Sequence, residues 1–134
     1  MDISTINWLA ILVAAISSFA LGSLWYAKPV FGGIWQKLIA RTDEEIKNAS
    51  MVKIFGLSFL LTLVMAINLA MFIGPDQGAA FGLFAGAAAG IGWVAMSLGV
   101  NYLYEGRSFR LWLINAGYMS LALAIMGTII GAWQ

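Results

Sequence analysis

"GAAFGLFAGAAAGIGW", residues 78–93, places a glycine at every fourth position: Gly78, Gly82, Gly86 and Gly90. In water each glycine within a helix costs about 1 kcal/mol relative to alanine. Four of them in one apolar run therefore predict a helix that its surroundings hold together. A bilayer is such a setting, because no water is present and every backbone N–H and C=O must be satisfied inside the helix. What the glycines add there is thinness. Lipid gives helices no hydrophobic reason to meet, and small residues four apart let their backbones pack closely. Each step of four residues drifts about 40° around the axis, which suits a crossing neighbour rather than a parallel one.

The same device recurs on both sides of this stretch. The first apolar segment carries Ala10, Ala14, Ser18 and Gly22, and the last carries Ser120, Ala124, Gly127 and Gly131. Helix packing is expected to rest on Gly78, Gly82, Gly86, Gly90, Ala14, Ser18, Gly22, Gly127 and Gly131. The run from Ala85 to Gly90 is thin on every face, which predicts that the third segment is the central helix.

The chain has 134 residues, 62% hydrophobic and 10% charged, against roughly 25% charged in soluble domains. Its mean hydropathy is +0.90. Four segments reach the roughly 20 apolar residues that a bilayer core requires: about 6–26, 51–73, 78–103 and 111–133. None contains an acidic residue, and only Lys53 is basic. Met1 to Thr5 includes Asp2 and no basic residue, so the first segment reads as a retained helix and not a signal peptide. The expected architecture is all-α: one membrane domain spanning residues 1–134, built as a four-helix bundle.

Cysteine and histidine are both absent, which removes the commonest ligands of zinc, haem and iron–sulfur clusters. No nucleophile–base pair is present either. No catalytic, cofactor-binding or metal-binding residue is expected, and the chain reads as a non-enzyme. The seven basic residues are clustered rather than abundant, so nucleic acid is not an expected partner.

Charge placement predicts orientation. Lys28, Lys37, Arg41 and Lys47 lie between the first two segments, Lys53 lies just inside the second, and Arg107 and Arg110 lie between the last two. All seven fall on one side of a four-crossing chain, and the short "GPDQ" turn on the other side carries only Asp76. By the positive-inside rule the basic side is cytoplasmic. Both termini then lie outside the cytoplasm of a bacterial inner membrane. So strong a bias also disfavours dual topology. Trp8 and Trp133 would anchor the outer interface, and Trp25, Trp35 and Trp112 the inner one, since indole rings favour the headgroup boundary.

Between the first two segments, Phe31, Ile34, Trp35, Leu38 and Ile39 share one helical face. A short basic amphipathic helix over about 31–41 should lie in the interface. Thr42 and Glu45 form a capping-box pattern, and from near Asp43 the second helix is expected to run unbroken to Ile73.

Polar residues within the spans need partners, because an unpaired buried amide costs several kcal/mol on alkane scales. Ser97, Asn101 and Asn115 map to the cytoplasmic half, and Glu105 lies four residues beyond Asn101. Two readings stand: interhelical hydrogen bonds, or a cytoplasm-facing polar pocket made by Ser97, Asn101, Glu105 and Asn115. Trp93 and Tyr118, near the midplane, would fill the core or wall that pocket.

"INWLAILVAA" at the first helix, "GSLWYAKPVFGGIW" at its exit and "NYLYEGRSFRLWLINAGY" across the last turn carry a resemblance. The chain resembles a bacterial family of small integral membrane proteins known only as a domain of unknown function. The resemblance implies a four-helix membrane protein and implies no activity, substrate or cofactor. Its pattern falls on Asn7, Trp8, Trp25, Tyr26, Phe31, Gly32, Trp35, Asn101, Glu105, Arg107, Asn115 and Gly117.

Two functions follow as expectations. One is a self-associating scaffold or accessory subunit, with the lipid bilayer and further copies of the chain as partners. The other is a conduit for a small-molecule or ion ligand through the polar pocket.

Overall fold

The computed structural model describes residues 2–134, and among them every regular element is helical. The helices are α1 (Trp8–Trp25), α2 (Gly33–Leu38), α3 (Asp43–Asn48), α4 (Met51–Ile73), α5 (Ala79–Ala89), α6 (Met96–Glu105) and α7 (Phe109–Trp133). A π-helical turn, Gly90–Ala95, joins α5 to α6, so that Ala79–Glu105 forms one rod. Four rods are long and apolar enough to cross a membrane: α1, α4, α5–α6 and α7. They run up and down. One end of the bundle holds the termini and the α4–α5 turn, and the other holds all seven basic residues.

The central helix is α7 and not the third rod. It is the most buried of the four, with 44% of its apolar window inside the protein, and it packs against α1, α4 and α5. The third rod uses one thin face only; Leu83, Phe84, Ile91 and Trp93 point outward. That face lies against α7 at backbone distance. A Cβ on Gly82 would sit 2.8 Å from the Gly127 carbonyl carbon and 3.0 Å from Gly131 Cα. One on Gly86 would sit 2.8 Å from the Leu123 carbonyl carbon, and one on Gly90 2.7 Å from Ser120 Cα. Gly78 contributes its carbonyl carbon, 3.1 Å from where a Cβ of Gly131 would lie, and itself caps α5 with φ +89°. On α1, Ala10, Ala14 and Ser18 are buried, while Gly22 faces the Tyr118 ring.

The apolar core sits in the terminal half, where Ile11, Ala66, Leu69, Ile73, Ala85, Leu123, Met126 and Ile130 meet. Towards the basic end α4 leaves the bundle, and Met51 to Leu57 are all exposed. Phe19 of α1 reaches across to it, with its ring 5.5 Å from that of Phe59 and 6.3 Å from that of Phe55.

The connection between α1 and α4 differs from expectation at both ends. It opens with a π-helical turn, Lys28–Gly32, that precedes α2, and α2 ends at Leu38. The chain then reverses through Ala40, a non-glycine residue at φ +55°. The capping box forms: Thr42 Oγ1 accepts from Glu45 N at 3.1 Å, and the Glu45 carboxylate accepts from Thr42 N at 3.2 Å. The helix it starts stops at Asn48, however, and Ser50 caps α4 separately. Extended backbone at Ala49 and Ser50 breaks the single long helix expected from Asp43 to Ile73.

Gly32 decides how this elbow sits. A Cβ there would lie 2.8 Å from the Tyr26 carbonyl carbon and 2.9 Å from that of Ala27, both immovable backbone. Gly32→Ala is therefore expected to unseat the elbow and speed limited proteolysis between α1 and α4 several-fold. Gly33→Ala, whose Cβ would meet only Lys28 O at 3.4 Å, should be cut at the wild-type rate. Equal rates for the two variants would refute this reading of the elbow.

Candidate functional site

At the basic end the third rod and α7 part. Beyond the π-helical turn, α6 buries none of its residues. Trp112 fills the wedge so formed: its ring lies 3.1 Å from where a Gly99 Cβ would be, and Nε1 donates to Ala95 O at 2.8 Å. Ala95 closes the π-helical turn, where the change in backbone pitch alters the helix's own pairing.

About one turn deeper in α7, three residues beyond Trp112, Asn115 centres a polar network. Its Oδ1 accepts from the Tyr26 hydroxyl at 2.7 Å, and its Nδ2 donates to the Tyr102 hydroxyl at 2.8 Å. This one amide therefore joins α7 to the end of α1 and to α6. The Tyr26 ring stands edge-on to Tyr118 at 5.3 Å and to Trp35 of α2 at 5.4 Å. Tyr118 donates to Ser18 O at 2.8 Å, and Ser18 Oγ, 3.0 Å away, donates back to the Tyr118 hydroxyl. Trp25 closes the other flank, with its ring at 4.8 Å from Phe31 and Nε1 donating to Ile114 O at 2.9 Å. Among the described residues no buried side-chain nitrogen or oxygen lacks a partner.

The four residues expected to share a pocket are not brought together. Asn115 faces inward, whereas Ser97, Asn101 and Glu105 are exposed on the rod that has turned away. Ser97 Oγ donates to Val94 O at 3.0 Å within its own helix. Glu105 pairs with Arg107 at 2.7 Å, and the Arg107 guanidinium covers the Tyr102 ring at 5.5 Å. Trp93 is 71% exposed, outside the core it was expected to fill. Tyr118 stays inside.

The five tryptophans expected to anchor the interfaces separate into two groups. Trp8 and Trp133 are about half exposed at the terminal end. Trp25, Trp35 and Trp112 are half-buried against protein, and Trp25 and Trp112 spend their N–H groups on carbonyls of neighbouring helices. These two join helices rather than only resting at a boundary.

A clasp at the terminal end escaped the sequence reading. Gln134 Nε2 donates to Ala70 O at 2.9 Å and Gly74 O at 3.0 Å, while its main-chain oxygen accepts from Asp76 N at 3.2 Å. Asn7 caps α1 and donates through Nδ2 to Trp133 O at 3.0 Å. The polar partners of Asn115 carried a usable signal: an amide within an apolar span needs donors and acceptors at its own depth, and Tyr26 and Tyr102 supply them. Gln134 carried none, because the groups it bonds are main-chain.

Two open clefts lie on the outside of the bundle. One, of about 410 Å³, is lined by Val100, Leu103 and Tyr104. The other, of about 220 Å³, lies in the elbow and is lined by Lys28, Gly33, Gln36, Lys37, Arg41 and Asp43. There, hydrogen bonds from Gln36 and Lys28 hold the Asp43 carboxyl below the usual aspartate range, which keeps it charged at neutral pH. Among the described residues no group of three or more His, Cys, Asp or Glu is placed to hold a metal ion.

These features define a class: small four-helix membrane proteins closed by a glycine seam at one end and a tyrosine–asparagine network at the other. The chain belongs to the family described as "Protein of unknown function (DUF1761)", which it matches over residues 9–131, a stretch that takes in nearly all of the four rods. No curated protein and no solved structure matches it.

Proposed function

We propose that the protein is a non-catalytic scaffold or accessory subunit of the bacterial inner membrane, with both termini outside the cytoplasm, which acts as a homo-oligomer. The observation that carries this reading is the full pairing of its interior polar groups. Asn115, the one inward member of the expected pocket, has both ends of its amide engaged by tyrosines of other helices. A side chain so committed binds the bundle together and offers nothing to a passing solute. Charge distribution supports the orientation, since all seven basic residues share one end.

The glycine seam between α5 and α7 is consumed within one chain, so self-association must use another face. Ala88 and Gly92 are exposed four residues apart on the outside of the third rod, and nothing lies within 4 Å of a Cβ built on Gly92. Small residues at this spacing suit contact with a second helix. Native mass spectrometry in detergent should find an oligomer that Gly92→Ile reduces to monomer. A wild type that is monomeric throughout would defeat the assembly. In liposomes, potassium and small-solute flux should equal that of empty vesicles, and a flux above that level which Asn115→Leu abolishes would establish a conduit instead.

A further inference from the structure

The elbow between α1 and α4 holds a group of charges that neither the bundle nor the proposed assembly uses. Its cleft presents three cations, Lys28, Lys37 and Arg41, against one carboxylate, Asp43. The carboxylate is already engaged. Asp43 Oδ1 accepts from Lys28 Nζ at 3.1 Å and from Gln36 Nε2 at 2.8 Å. These bonds tie the π-helical turn, α2 and the start of α3 into one wall. Among the described residues Lys37 and Arg41 take part in neither of the two ion pairs.

Their closeness is set by the backbone. After α2 the chain reverses at Ala40, with Ala40 N bonded to Lys37 O at 3.1 Å and Arg41 N to Gln36 O at 3.3 Å. A left-handed alanine is uncommon, and here it folds Arg41 back beside the last turn of α2. The result joins a planar guanidinium, which can grip two oxygens at once, to a mobile ammonium. Gly33 lines the same cleft without a side chain.

We propose that this cleft binds a phosphate group, gripped by Arg41 and Lys37 and bounded by the Lys28–Asp43–Gln36 wall. Two sources share that chemistry: the phosphodiester of an anionic phospholipid and a soluble phosphate. The surroundings suit the lipid. The elbow links two membrane-crossing rods, and Val30 and Ile34 of the same elbow are exposed apolar side chains that would enter the acyl region.

The test uses the full chain in detergent micelles, with lipid retention read by native mass spectrometry. Wild type should retain phosphatidylglycerol in preference to phosphatidylcholine, and K37Q/R41Q should lower that retention about tenfold, because it removes the charge-assisted hydrogen bonds that grip the phosphate. K47Q/K53Q removes the same charge outside the cleft and should change it less than twofold. Asp43→Asn removes the only carboxylate of the cleft and should raise retention, a direction that loss of fold cannot mimic. Equal loss in the two double variants, or no preference between the lipids, overturns the proposal. Inorganic phosphate added in competition separates the sources: displacement of the lipid means that the site reads phosphate alone, and persistence of the lipid means that it also holds the acyl portion. Because the readout is lipid retention and not oligomeric state, this test can fail while the scaffold reading stands.

Discussion

Gly86→Leu is expected to separate α5 from α7 and to lower the stability of the bundle by about 3 kcal/mol, at the upper end of what over-packing a close-packed core costs. The first atom of the new side chain would already lie 2.8 Å from the Leu123 carbonyl carbon and 3.0 Å from Ala124 Cα. Those atoms belong to helical backbone and have no rotamer to change. The two helices must move apart, and the loss spreads along the seam to Gly82, Gly90 and Gly127. Dispersion contacts fall off steeply with separation, so a small shift forfeits much of the packing of the core helix. Gly56→Leu is the matched control: the same substitution on an exposed stretch of α4, with nothing within 4 Å of the new atom. It should unfold at or slightly above the wild-type temperature in detergent. Comparable losses in both variants would mean that the close backbone contact of the seam does not set the stability.

Asn115→Leu should cost about 2 kcal/mol, the second-largest effect of a single substitution expected here. Two hydrogen bonds vanish together, and the Tyr26 and Tyr102 hydroxyls are left without their amide partner. Interhelical bonds in membranes average about 0.6 kcal/mol and reach about 1.7, and stranding a buried polar group adds to that. Tyr26→Phe should cost less, because it removes one bond and leaves Asn115 bonded to Tyr102. In the double variant the two losses should fall short of additive, since both remove the Tyr26–Asn115 bond. Strict additivity in thermal unfolding would show that the pair is not coupled and that the network does not tie α1 to α7.

The glycine spacing, the four apolar lengths and the one-sided charge were all legible in the chain, because each rests on local chemistry. A span must be apolar along its length, its backbone must pair with itself, and its neighbours can approach only where side chains are small. Thr42 and Glu45 were legible for the same reason: a capping box involves four consecutive residues. The extended break at Ala49 and Ser50 was not, since Ser50 reads equally well as a helical residue or as a cap. The π-helical turn at Gly90–Ala95 was equally hidden. It turns the third rod outward, and with it Ser97 and Asn101, so that spacing along that helix misplaced them. The rings of Tyr26 and Tyr102 suit the membrane boundary, and nothing local shows that their hydroxyls pair with Asn115. Their hydroxyls proved to matter more than their rings.

Composition and spacing alone thus determine an all-helical chain of four apolar rods with its basic residues at one end, since solvation and charge act residue by residue. Which helix lies at the centre is a different kind of fact. The third rod has the thinner surface, yet α7 is surrounded, because a glycine face can close against only one backbone while α7 offers different faces to α1, α4 and α5. The choice between a polar pocket and a polar tie was likewise made in three dimensions. Asn115 became a tie because the ends of α1 and α6 brought two tyrosine hydroxyls to its amide, a convergence of residues up to 89 positions apart that no local pattern encodes.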